Sequence, residues 1–572
     1  MQKKPDAEYD YIVIGAGSAG CVVAARLAEE GNARVLLIEA GGNDKKLGIK
    51  MPSAFYMPLH DQRINWGYYS EPEPELNNRK IHCPRGKVLG GSSSINGMVY
   101  IRGNKEDFDG WDQLGAPGWD YKSLLPYFKK SQRADCRSEP HPFKGHDGPI
   151  ATTTGKMKNP LYKTFLEAAQ SAGYSSNSDI NGAHQEGFGP MPMTIDSGIR
   201  ASTYRAYIDN RPSQNNLTIT SRSITNKVII HDGKARGVCY SRGRENFTAF
   251  AKSEVILCAG AINSPQLLML SGVGNAEDLS QLKIKVAADL PGVGQNLMDH
   301  LEVYVQQACT RPISLQKNLG WLGKSYIGAT WLARRKGLGA TNHFEVGGFI
   351  KSDEQRTYPD IQFHFLPVAM SYDGKVKASQ HGFQVHVGPM LPKSRGSISL
   401  INDDPKIAPK IQFNYMTHHD DFFVFRQAIR AARTIFKQSE FDEFRAEELN
   451  PGKHCQSDEE LDNFIRQNAE SAYHPCGTCK MGTGPDSVVD PTGKVYGIDR
   501  LRVADSSIFP QITNGNLNAP TIMLAERAAD LVAGKTLLKP LEAPVWVDPG
   551  WRERQRSGEP QRPVPDSGGV AH

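Results

Sequence analysis

The 572-residue sequence has no run near the roughly 18 consecutive apolar residues that a membrane-spanning helix needs. Its opening, MQKKPDAEYD, lacks the apolar centre of a secretion signal. The expectation is therefore a cytoplasmic protein with no signal peptide or transmembrane helix. Cysteine is sparse. The nine residues, an odd number, fall into no regular framework, which argues for reduced thiols rather than disulfides. Cys476 and Cys479 spell a CxxC, but a second such pair and a thiol-redox context are both missing, so no metal is expected. Charge of one sign is also lacking. The net +5 is dispersed along the chain and gives no reason to expect a nucleic-acid partner. Internal repeats are absent. What remains, 39% hydrophobic and 23% charged residues, is ordinary globular composition, at a length that predicts more than one domain.

The most informative stretch is residues 10–42. A short apolar run (YIVI, 11–14) predicts a buried parallel strand. The glycine turn GAGSAG (15–20) follows, then a small-residue helix to about residue 30. A second apolar run over 35–38 ends on Glu39. This is the order of a dinucleotide-binding unit, in which Gly15 turns the chain, Gly17 lets backbone approach a pyrophosphate and Gly20 lets helix meet strand. The helix N-terminus offers N–H donors to phosphate. Glu39 suits ribose hydroxyls and would repel a 2′-phosphate.

Further along, Gly90, Gly91 and three serines make a loop rich in N–H and O–H donors. Residues 107–119 read as a polar and aromatic surface connection, and 121–130 as a short helix. Strands are predicted at 217–220, 228–230, 237–240 and 253–259, the last leading through Gly260 into a helix. From 299 to about 460, strands at 361–365 and 383–387 alternate with charged helices such as 420–436, which predicts a second lobe built on an antiparallel sheet. The segment 321–336 reads either as an amphipathic helix on that lobe or as a contact with a membrane surface, where a quinone would be met. The proline-rich end, 538–572, reads as a loosely attached tail.

Three motifs occur together: GKVLGGSSSIN (86–96), the glycine-bounded segment 260–274, and His474 with Asn516. Together they resemble the glucose–methanol–choline oxidoreductase family from Tyr9 to about Leu537. The resemblance implies an α/β (α+β) fold, with a Rossmann-like FAD-binding domain and a substrate-binding domain whose antiparallel sheet is flanked by helices. FAD-binding segments would span 8–158, 216–300 and 468–537, a substrate-side insertion 159–215, and the substrate-binding domain 301–467. FAD would be held non-covalently, because Ile95 stands where some relatives carry a flavin-linked histidine. Its contacts would come from Gly15, Ala16, Gly17, Ser18, Gly20, Glu39 and Ala40, then from Gly91, Ser92, Asn96 and Gly97. The Val228 backbone would meet the adenine, Asp505 the ribityl–phosphate region, and Asn518 the pyrimidine edge of the flavin.

His474 and Asn516 match the catalytic pair. An imidazole can take the proton of an alcohol, and an amide can donate to the developing oxyanion. The resemblance is strongest to members that oxidise choline to betaine aldehyde and pass the electrons to a quinone or another carrier. It places Glu302, His364, Glu345, Ala472 and Tyr473 around the substrate. Read as residues, His343 and Glu345 are either pocket or packing. Two alternatives stay open: another small primary alcohol as substrate, or a non-redox or light-driven flavoenzyme. Peripheral contact with an inner membrane and the oligomeric state are likewise open.

Overall fold

A computed structural model describes residues 7–29, 31–135, 141–212, 214–353, 356–371 and 381–545. Cys136, the first six residues and the end from 546 onward lie outside them. Two seven-stranded sheets organise the fold. In the first, Ala7–Ile14 pairs in parallel with Val35–Ile38 on one side and Glu245–Leu257 on the other. Leu217–Thr220 extends it beyond Val35–Ile38, and Leu501–Val503 joins Glu245–Leu257, both in parallel. The strands Lys234–Arg242 and Ile224–His231 complete it as an antiparallel meander. The all-apolar runs of its central strands follow from this position, because a parallel strand with helices on both faces has no solvent side.

The second sheet is antiparallel throughout. Its order is Arg445–Asn450, Leu301–Cys309, Gly382–Pro389, Ile361–Leu366, Val346–Ile350 and Gly187–Pro190, with Glu470–Ser471 pairing the start of Leu301–Cys309. The segment Gly187–Pro190 thus joins the second sheet from far earlier in the chain than its other strands. The helix His419–Phe436 covers this sheet with an apolar face that includes Phe422, Phe425, Ile429 and Phe436.

Two expectations are corrected. Residues 107–119 are no surface connection: Lys105–Gln113 is a helix with a capping box at Asn104, and Phe108, Trp111 and Trp119 are buried. Trp111 and Trp119 donate their indole N–H groups to the Gln511 and Pro491 carbonyls. The aromatic residues, read as a polar connection, are there to be buried. The start of the tail is also attached. Leu541 N–H donates to the Lys122 carbonyl, Leu538 N–H to the Tyr127 hydroxyl, and Leu538 and Leu541 pack on the core.

Candidate active site

One cavity of about 740 Å³ runs from the first glycine turn to the second sheet. At its inner end lie Gly15, Gly17, Ser18, Glu39, Ala40, Gly91, Ser92, Asn96, Gly97, Asp505 and Asn518, all of them expected there. The turn is close-packed for a reason. A Cβ on Gly20 would stand 1.8 Å from the Gly15 carbonyl oxygen, and one on Gly91 2.5 Å from the Gly17 Cα. Only glycines let the strand, the helix and the second loop converge, and that convergence is what bares the backbone N–H groups.

Glu39 accepts from Ala16 N–H at 2.9 Å and Gly41 N–H at 2.7 Å. Burial pushes its carboxyl up to about 7, against the pull of those donors. Asp505 accepts from Gly260 N–H at 2.8 Å and Ser264 hydroxyl at 2.6 Å, which ties the second glycine turn to the cavity floor. Asn518 opens the helix Asn518–Val532 and accepts from the Ser18 hydroxyl at 2.8 Å. The Asn96 side-chain Oδ1 accepts from Arg200, a buried guanidinium, at 2.7 Å. Ile95 lines the same wall with a side chain that has no nucleophile.

Four of the expected residues, Ala16, Gly20, Val228 and Glu345, do not line the cavity. The Val228 N–H donates instead to the Ser271 hydroxyl at 2.9 Å. The edge that does face the cavity is Ser223, Ile224 and Thr225, one turn of sequence earlier. The strand runs from Ile224 to His231, so its first residues, not its middle, reach the cleft. Glu345 is also displaced. Its carboxylate accepts from Met157 N–H and from the Thr341 hydroxyl at 2.8 Å, and it is no part of the cavity wall. Its neighbour His343 does line the wall, and burial brings its imidazole down to about 4.

Toward the second sheet, the cavity meets His474, Asn516, Ala472, Tyr473, Glu302 and His364 together. His474 Nε2 and Asn516 Nδ2 are 3.1 Å apart. The His474 backbone N–H donates to Asp299 at 2.6 Å, and Asp299 also accepts from the Ser471 and Tyr415 hydroxyls. Burial holds the His474 imidazole well below its ordinary range, with His300, Arg85 and His364 adding in the same direction. A neutral imidazole with a free lone pair is a proton acceptor. An amide beside it can steady an alkoxide.

Tyr304, His386 and Phe344, which sequence reasoning missed, complete the far wall beside His364. Tyr304, His386 and His364 occupy one cross-strand rung, since Tyr304 pairs with His386 and His386 with His364. The Tyr304 and His386 rings stack with centroids 3.8 Å apart, and Phe344 meets both His364 and His386 edge to face. The alternation Glu302-x-Tyr304 on one strand was the available signal. The helix Trp321–Arg334 contributes Lys324, Ile327 and Gly328 to the cavity, while Trp321, Leu322 and Tyr326 face outward and are exposed. Among the described residues, no group of His, Cys, Asp and Glu can hold a metal, and no helix is long and apolar enough to cross a membrane. The eight described cysteines are free.

A Rossmann-type cradle open onto a histidine–asparagine pair under an antiparallel sheet defines a dinucleotide-dependent oxidoreductase architecture. Two family models, both described as GMC oxidoreductase, match residues 9–302 and 392–525, and the chain belongs to that family. It is 50% identical to the oxygen-dependent choline dehydrogenase of Photobacterium profundum over 560 residues, covering 97% of this chain and 98% of the relative. The enzyme of the same name from Rhizobium etli is 50% identical over 542 residues, 94% of this chain and 98% of the relative. Among solved structures, pyridoxine 4-oxidase from Mesorbium loti superposes with a TM-score of 0.83 at 29% identity, over 92% of this chain and 99% of that one. A formate oxidase superposes with a TM-score of 0.86 at 27% identity, over 93% and 99%.

Proposed function

We propose that the protein is an FAD-dependent alcohol dehydrogenase whose substrate is choline and whose product is betaine aldehyde. One observation carries the reading. A carboxylate, Glu302, and the rings of Tyr304, Phe344, His364 and His386 line the same cavity as His474 and Asn516. A quaternary ammonium has no hydrogen to donate, so it is recognised by charge and by aromatic faces, and both are present. The name of the relatives supports the same substrate.

The glycine cradle, Glu39, Asp505 and Asn518 fit an FAD, because the cavity is continuous from the cradle to His474. When bound, the flavin supplies the hydride acceptor for the alcohol carbon. The chain's own residues do the rest. Glu302 and the aromatic wall orient the ammonium end, so that the alcohol end reaches His474. His474 Nε2 takes the hydroxyl proton. Asn516 donates to the oxygen as charge develops on it, a role such donors fill at a gain of roughly 10²–10³ in rate.

The acceptor of the electrons is a quinone, oxygen or another carrier. A quinone would be met through peripheral contact of the Trp321–Arg334 helix with a membrane, a role supported by exposed Trp321, Leu322 and Tyr326 among basic residues.

The test is an anaerobic panel of alcohols scored by bleaching of the flavin absorbance. Choline should bleach it at the lowest concentration. Bleaching by other small alcohols with choline inert would give the alternative substrate reading, and no bleaching by any alcohol would give the non-redox one.

A further inference from the structure

Behind His474, away from the cavity, lies a second histidine, which is fully buried. His300 Nδ1 is 3.0 Å from His474 Nδ1, and His300 Nε2 is 2.9 Å from the Met390 carbonyl oxygen. A carbonyl only accepts, so His300 Nε2 carries a hydrogen and donates it. Burial brings the His300 imidazole down to about 4, which keeps it neutral near neutral pH. Its Nδ1 therefore holds a lone pair and must accept. The hydrogen in the His300–His474 contact consequently belongs to His474 Nδ1, and His474 Nε2, the nitrogen facing the cavity, is left with the lone pair.

The other end of the chain agrees. Gln362 Nε2 donates to Asn516 Oδ1 at 3.1 Å, which turns the Asn516 NH₂ toward His474 Nε2. Four groups, Gln362, Asn516, His474 and His300, donate in one direction, and the Met390 carbonyl accepts at the end.

We infer that His300 is a positioning residue: anchored on the Met390 carbonyl, it selects the tautomer of His474 that presents an unprotonated Nε2 to the substrate. His300 lies outside the cavity wall, so it acts only through His474. The alternative tautomer would direct a hydrogen at the alcohol hydroxyl and at the Asn516 NH₂, and it could not take the proton. The same arrangement explains the direction of the Asn516 amide, which a lone imidazole would leave free to turn.

The inference rests on the alcohol-oxidation reading for its consequence, but its geometry can be tested without a substrate. The holoenzyme, labelled with ¹⁵N in its histidine rings, is examined by long-range ¹H–¹⁵N correlation, the His474 signals being identified by their loss in His474→Gln. Pyrrole-type Nδ1 and pyridine-type Nε2 are expected for His474. The reverse pattern in the wild-type protein overturns the inference, whatever any variant does. In His300→Leu, which removes the acceptor, His474 should shift toward the Nε2–H form, and flavin reduction should fall about 10²-fold or more at little changed substrate affinity, the scale of a lost general base. His300→Asn, whose side-chain oxygen can accept near the position of Nδ1, should regain part of that rate. An unchanged His474 spectrum in His300→Leu overturns the inference. A wild-type flavin that choline fails to bleach sinks the substrate reading alone, with the tautomer still read from the spectrum.

Discussion

Glu302 and His386 face each other across neighbouring strands, with the carboxylate Oε1 3.0 Å from the imidazole Nδ1. The protonation of that imidazole is set from behind. Gln384 accepts at its Oε1 from Gln306 Nε2 at 2.7 Å and Met370 N–H at 2.8 Å, so its NH₂ is the group that points at His386 Nε2, 2.7 Å away. His386 Nε2 accepts and its Nδ1–H donates. The histidine thus gives Glu302 a hydrogen bond without bringing a formal positive charge beside it. A cation entering the cavity meets a carboxylate that is oriented by an uncharged partner.

The first prediction tests that carboxylate. Glu302→Gln should weaken choline binding by about 1–3 kcal/mol, the scale of a partly desolvated charged contact. The uncharged isostere 3,3-dimethylbutanol should be affected much less. Dissociation constants from anaerobic flavin reduction measure both, and equal losses would show that Glu302 does not read charge.

The second concerns the proposed catalytic pair, His474 and Asn516. His474→Ala should keep its FAD yet reduce it about 10²–10⁴ times more slowly, since the residue handles a proton in the chemical step. Asn516→Ala should slow reduction by a smaller factor. Stopped-flow reduction decides this, and a parental rate in His474→Ala would assign the base elsewhere.

The third is that acid precipitation releases all of the yellow colour into the supernatant. Ile95 offers no nucleophile, so the flavin should leave with the solvent. Colour that stays with the pellet would refute a non-covalent cofactor.

The fourth is a pH dependence. Glu39 in the cleft has its carboxyl raised from 4.5 to about 7 by burial. For the cofactor-free protein the sign is that of a raised acid: its contribution to stability is full below the unfolded value and is lost as pH rises through about 7. Ribose hydroxyls donate to the carboxylate form, so FAD binding should strengthen over that same rise. Titration of FAD into apoprotein should show affinity falling as pH drops below about 7, with the slope removed in Glu39→Gln. Parallel slopes in the two proteins would place the titration on another group.

How much of this was legible beforehand divides along a physical line. Local patterns carried the cradle, because strand, glycine turn, helix and acid lie within 30 consecutive residues and their chemistry depends on that order. They also carried His474, Asn516 and Ile95, through motifs that resemble the family. Val228 was misplaced because a strand's periodicity does not say where along it a cleft cuts. Glu345 was misplaced because an acid beside a cavity and an acid under its wall have the same neighbours in sequence. The helix at Lys105–Gln113 was missed because its buried aromatic residues sit among acids that read as solvent-facing.

The sequence by itself determined the cofactor cradle, the antiparallel second lobe and the candidate for the base, His474, since each depends on residue type and short spacing. Only the tertiary structure decided what surrounds that base. Register across three strands sets Tyr304, His386 and His364 side by side although 22 to 82 residues separate them along the chain. The fold likewise brings His300 against His474 across 174 residues and Gln362 against Asn516 across 154. Hydrogen-bond direction depends on which donor meets which acceptor in space, and no local pattern in a chain encodes that.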